Sequence, residues 1–147
     1  MQIMAYDFHK GARAPAPVLP EDKIRPIVEY AKQNVNDQDK IVFLMPLYGH
    51  VWTLKTRLSR GRRITYYRPV GTLSAASNDR FLRIRGSRSY IDDGELRIDA
   101  GTRIVYTQDR EVFRRRHKML EELGIKNYGY WKQEHANSAI IREINRL

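Results

Sequence analysis

Between His50 and Thr107 the chain alternates apolar and polar side chains. On either side of that stretch the apolar positions recur every three or four residues. The first helical pattern holds Ile24, Ile27, Val28 and Ala31, with Asp22 placed to cap it. Pro26 falls in the first turn, where a missing N–H leaves no helical bond unmade. Ile41 to Met45 is wholly apolar, as a buried strand would be. His50 to Leu58 places Trp52, Leu54 and Leu58 on one face and Thr53, Lys55 and Arg57 on the other. Ser59-Arg60-Gly61 is a turn, and Arg62 to Arg68 returns, so a β-hairpin is predicted over 50–68. Gly71 to Asn78 reads as an exposed loop and Phe81 to Arg85 as a further strand. Asp92-Asp93-Gly94 turns the chain between Ser89–Ile91 and Glu95–Ile98, and Thr102–Thr107 follows the break at Ala100-Gly101.

Helical spacing then resumes from Asp109, the expected N-cap, to Leu123, and Gly124 stops it. An aromatic-rich connection, KNYGYWKQ, leads to a last helix over Glu134–Arg146, with Ala136, Ile140, Ile144 and Leu147 in a stripe. Lys10 to Pro20 holds three prolines and reads as an extended arm. The predicted fold class is α+β: one N-terminal helix, a strongly bent antiparallel sheet or small β-barrel, and two C-terminal helices. Residues 1–20 form an extended N-terminal arm and residues 21–147 a single domain. Within it lie a strand-rich basic core over about 40–107 and a helical unit over about 109–147.

Composition narrows the function classes. The chain has 147 residues, 41% of them hydrophobic, enough for a core. Its longest apolar run, Ile41 to Tyr48, contains Pro46 and is too short to span a bilayer. The opening MQIMAYDFHK lacks the apolar stretch of a secretory signal. The absence of cysteine excludes disulfides, thiolate metal sites and cysteine nucleophiles. It fits a cytoplasmic or otherwise intracellular, reducing location.

Charge changes the picture most. The net charge is +10, yet residues 1–49 are neutral and residues 91–147 carry +1. Residues 50–90 hold ten basic groups, nine of them Arg, against Asp79 alone. Arginine forks match phosphate oxygens and stack on flat rings. The expectation is therefore a nucleic-acid-binding surface on the hairpin that grips the phosphate backbone, with RNA or single strands favoured over duplex DNA. Its residues are Lys55, Arg57, Arg60, Arg62, Arg63, Arg68, Arg83 and Arg85, with Tyr67 as the stacking ring. An acidic protein partner gripped by the same face, as in a viral or ribonucleoprotein assembly, is the alternative.

Other chemistry is less supported. Arg114 to Lys118 wraps around more than half a helical turn and reads as a solvated face paired with nearby glutamates. The connection from Gly124 to Glu134 is too long for a helix-turn-helix. His9, His50, His117 and His135 have no ligand spacing, so no metal or cofactor is expected. Asp92, Asp93, Glu95 and Asp99 are explained by a turn. A metal-independent ribonuclease using His50 or His117 remains the second alternative.

Overall fold

A computed structural model describes residues 1–146. The elements in order are β1 (Gln2–Met4), α1 (Glu21–Asn34), β2 (Val42–Pro46), β3 (Tyr48–Ser59), β4 (Arg62–Ser74) and α2 (Asp79–Leu82). They continue with β5 (Arg88–Asp92), β6 (Glu95–Ala100), β7 (Arg103–Thr107), α3 (Arg110–Glu122), β8 (Asn127–Trp131) and α4 (Ser138–Ile144).

The strands form two sheets. One is parallel, in the order β1-β2-β8. The other is antiparallel, in the order β4-β3-β7-β6-β5. This overturns the single bent sheet or small barrel. Gln2–Met4, inside the stretch read as an arm, pairs with Val42–Leu44. Asn127–Trp131, inside the stretch read as a connection, pairs along the whole of β2. The antiparallel sheet is thus inserted between two strands of a parallel β/α layer. Helices flank the parallel strands in sequence: α1 between β1 and β2, α3 before β8, and α4 after it.

Two further expectations fail locally. Residues 71–74 continue β4 instead of looping, and 75–77 make one helical turn. Phe81 to Arg85 is not a strand. The Asn78 carbonyl accepts from the N–H of Phe81 and Leu82, at 2.9 and 3.1 Å, which starts α2. Asn78 is itself fixed: its amide donates to the Gln108 carbonyl at 2.7 Å and its oxygen accepts from Thr107 at 2.9 Å. Phe81 is thereby turned into the core, and Arg83 and Arg85 leave the sheet.

The long hairpin agrees with its reading. β3 and β4 pair from Ser59↔Arg62 to Tyr48↔Ser74, with an irregularity at Val51/Trp52. Arg60 and Gly61, at φ 49° and 74°, make the left-handed two-residue turn that matches strand twist. α3 begins at its expected cap, where the Asp109 carboxylate accepts from the Val112 N–H at 2.8 Å.

Two cores hold the layers. Ile3, Phe43 and Met45 pack with Ile24, Val28, Phe113, Leu120 and Ile140 over the helical face of the parallel sheet. Val51, Leu73, Ile98 and Val105 pack with Phe81 and Val112 on one face of the antiparallel sheet. The last position of the expected C-terminal stripe, Leu147, lies outside the described residues. Among the described residues no helix is long and apolar enough to cross a membrane.

The basic run on α3 is consumed by ion pairs. Arg114 meets Glu143 at 2.7 Å, Arg115 meets Glu21 at 3.2 Å and Lys118 meets Glu122 at 4.0 Å. Arg116 is fully inside, 3.3 Å from Glu95, and donates to Gln108 and to the Leu19 carbonyl at 2.7 and 3.0 Å.

Gly49 lies where β3 passes the end of β7 within the antiparallel sheet. A Cβ there would lie 2.1 Å from the Tyr106 carbonyl oxygen and 2.7 Å from the Thr107 Cα, both backbone atoms. Gly49→Ala is therefore expected to destabilise the fold by about 1–3 kcal/mol through overpacking, read as a lowered urea midpoint. An unchanged midpoint would mean that the strands part easily there.

Candidate functional site

Ligand sites in parallel β/α layers gather at the C-terminal ends of the strands. Here that edge collects Tyr6 and Asp7 just beyond β1, Tyr48 just beyond β2, and Trp131 at the end of β8. Asp7 has φ 64°, an unusual backbone for a residue other than Gly, and this aims its carboxylate at the neighbouring strand. One oxygen accepts from the Tyr48 hydroxyl at 2.7 Å and lies 3.1 Å from His50 Nε2. The other lies 3.3 Å from Lys10 Nζ. Trp131 leaves 53% of its surface exposed at the same edge.

The carboxylate is held ionised. Burial pulls the Asp7 carboxyl up, but hydrogen bonds from Tyr48 and Lys10 and the nearby positive charge outweigh it, so its pKa lies below the ordinary value. Burial pushes the His50 imidazole down more than Asp7 raises it, so His50 is neutral at pH 7. Burial and the facing Asp7 push the Tyr48 phenol far up, so Tyr48 stays a donor.

From this edge a ladder of edge-on rings runs onto the antiparallel sheet. Successive centroids along Tyr6, Tyr48, His50, Trp52 and Tyr106 are 6.1, 5.7, 6.0 and 6.2 Å apart. Alternation puts Tyr48, His50 and Trp52 on one face of β3, and the register adds Tyr106 of β7 and Arg97 of β6. Arg97 ends the ladder. It donates to Asp99 at 2.9 Å, to Asp92 at 3.4 Å and to the Tyr106 hydroxyl at 3.2 Å, and the Tyr106 hydroxyl also donates to Asp92.

The linkage between Asp7 and His50 gives a measurable consequence. In Asp7→Asn the raising influence on His50 is lost, so its pKa, already below 6.5, is expected to fall further in an NMR titration. Unfolded His50 binds a proton that the folded residue does not. The sign is therefore that folding stability drops as the pH falls through 6.5. A His50 pKa above 6.5 would contradict this electrostatic arrangement.

Of the sequence-predicted residues His50 belongs to this edge, and the basic candidates lie elsewhere. Lys55, Arg57, Arg60, Arg62, Arg63 and Arg68 are all exposed on the β3–β4 hairpin, and Tyr67 is half-buried beside Trp52. Arg83 and Arg85 follow α2 and do not continue that surface. His117, the other acid–base candidate, packs at 4.0 Å on the Tyr128 ring, on the helix side of β8 and away from the strand ends. The acidic residues read as a turn are divided: Asp93 turns, Asp92 and Asp99 hold Arg97, and Glu95 is fully buried. Among the described residues no group of three or more His, Cys, Asp or Glu is placed to hold a metal ion.

Comparison with known proteins decides the fold. A chitinase from Chromobacterium violaceum superposes with a TM-score of 0.78 at 21% identity, over 99% of this chain and 44% of that one. A class V chitinase from Cycas revoluta in complex with (GlcNAc)3 superposes with a TM-score of 0.80 at 20% identity, over 97% and 44%. The fold is chitinase-like. These neighbours belong to the GH18 group of (β/α)-barrel enzymes. In sequence the chain is 27% identical over 142 residues to YdhD of Bacillus subtilis, described as a sporulation-specific glycosylase, over 90% of this chain and 31% of that protein. No family model matches. The chain spans under half the length of the chitinases and under a third of YdhD.

These findings overturn the nucleic-acid expectation, together with its partners and the alternatives of an acidic protein or a ribonuclease. The sequence relative is described as a glycosylase, the structural neighbours are chitinases, and some of these are in complex with (GlcNAc)n oligosaccharides. The physical reason for the misreading is plain. Clustered charge names the sign of a ligand, not its class. The residues that gather at the strand ends, Tyr6, Asp7, Tyr48, His50 and Trp131, carry almost none of that charge.

Proposed function

We propose that this chain forms part of an oligosaccharide cleft that binds N-acetylglucosamine units across the C-terminal edge of the parallel sheet. The observation that carries the reading is the ionised Asp7, hydrogen-bonded by Tyr48 and His50, with the exposed Trp131 ring ending another strand of the same sheet edge, in a chain of chitinase-like fold. Each group suits a sugar. The flat apolar face of a pyranose stacks on an indole. An acetamido N–H needs an acceptor, and the second Asp7 oxygen has lone pairs free beyond Lys10. Tyr6 and Tyr48 bring hydroxyls to the same edge.

The same arrangement suits glycosidic chemistry in one respect. Cleavage passes through a transition state with positive charge on the sugar ring, and an ionised carboxylate next to that ring stabilises it. Asp7 is held in that form. Protonation of the leaving oxygen is not a task for Asp7, which is ionised, or for His50, which is neutral at pH 7.

Calorimetry with the N-acetylglucosamine tetramer and the glucose tetramer tests the reading, because the two differ in the acetamido group. The expected result is binding of the first and about tenfold weaker binding of the second, one charge-assisted hydrogen bond's worth. Equal affinities, or no binding of either, would overturn it.

A further inference from the structure

We infer that the outer edge of β4, beside Arg13, holds an anion site for a carboxylate or phosphate substituent on the bound glycan. The inference rests on the oligosaccharide reading and extends it to substrate class. A concavity of about 440 Å³ lies there, lined by Arg13, Arg57, Arg68, Tyr66, Tyr67 and Pro69. It contains three guanidinium groups and no carboxylate, and none of the three makes an ion pair among the described residues. Arg57 lies 5.6 Å from the Tyr66 ring centroid, which fixes the plane of its fork without using its donors.

The site is continuous with the proposed cleft. Arg13 arrives from the same segment that carries Asp7, and the Trp52 indole pins that segment by donating to the Ala12 carbonyl at 2.9 Å. A second concavity, lined by Lys10, His50, Trp52, Pro69 and Val70, lies between Asp7 and the arginines. Tyr67 packs with Trp52, so the ring ladder that begins at Tyr6 leads to this edge. The ladder rings Tyr48, His50, Trp52 and Tyr106 are themselves buried, so it is a glycan lying in the second concavity that presents its substituents to the unpaired guanidinium forks at the β4 edge. This gives Arg57 and Arg68, two of the ten basic groups of residues 50–90, a use that a neutral polymer would not.

The test measures the affinity of the protein for three tetramers with one backbone: N-acetylglucosamine alone, its carboxymethylated form and its 6-phosphorylated form. At about 50 mM salt at least one anionic form is expected to bind about tenfold tighter than the neutral one. The ratio should fall to within about twofold at about 500 mM, where the Debye length is shorter than the pocket. Whichever form is preferred identifies the source of the charge. Arg57→Gln/Arg68→Gln and, separately, Arg13→Gln should lower the anionic-to-neutral ratio, with thermal midpoints confirming that each variant folds. A ratio near one at low salt, with the neutral tetramer bound, would overturn the anion site alone. Failure of all three tetramers to bind would overturn the oligosaccharide reading and this inference together.

Discussion

Arg116→Met is expected to lower the stability of the fold by about 3–5 kcal/mol, because it leaves Glu95 charged and buried without its counter-ion. Both side chains are inside, Glu95 at 0% and Arg116 at 4% exposure. Burial pushes the Glu95 carboxyl up and the Arg116 guanidinium down, each against the pull of the other. The pair persists because both Glu95 oxygens and both terminal Arg116 nitrogens are engaged. Glu95 accepts from the Val18 and Leu19 N–H groups at 2.9 Å each and from Gln108 at 2.9 Å. Arg116 in turn holds the Leu19 carbonyl. Loss of Arg116 therefore loosens residues 18 and 19, which close the segment that carries Asp7. Urea denaturation would show the loss, and glycan affinity should weaken with it. A midpoint within error of the parent would mean that Glu95 is neutral in the fold.

Trp131→Ala is expected to weaken binding of the N-acetylglucosamine tetramer by about 2 kcal/mol, roughly thirtyfold, as for an aromatic anchor at the centre of a contact. Stability should change little, since about half of the ring faces solvent at the end of β8. Measuring both quantities separates a stacking platform from a packing residue. Unchanged affinity would remove Trp131 from the cleft. A large fall in the urea midpoint would reassign it to the core.

How much of this was legible in the sequence depends on the range of the interactions concerned. The β3–β4 hairpin was, because alternation and the Arg60-Gly61 turn are local signals. So were the β5–β6 hairpin around Asp93-Gly94 and the start of α3 at Asp109. The parallel sheet was not. β1 has three residues, too few to show any period, and β8 reads as an aromatic connection until its partner Val42–Pro46 is known. Phe81 to Arg85 alternates as a strand would, but Asn78 and the second core decide for a helical turn. The candidate site shared this fate. Tyr6 and Asp7 sit within MQIMAYDFHK, and only the pairing of Gln2–Met4 with β2 shows that they follow a strand. Trp131 lay in plain view in KNYGYWKQ, with no local cue that it ended a strand at the same sheet edge as Asp7. The charge of the hairpin was legible, but its partner was not, because a row of arginines is indifferent to which polymer carries the anion.

The central claim is that a glycan binds across the C-terminal edge of the parallel sheet. The most direct test is an NMR titration of labelled protein with the N-acetylglucosamine tetramer. The expected result is a shift of the Trp131 indole N–H and the His50 ring, with the hairpin tip at Arg60-Gly61 unmoved by this neutral ligand. Shifts confined to the hairpin tip, with Trp131 and His50 undisturbed at saturation, would contradict it.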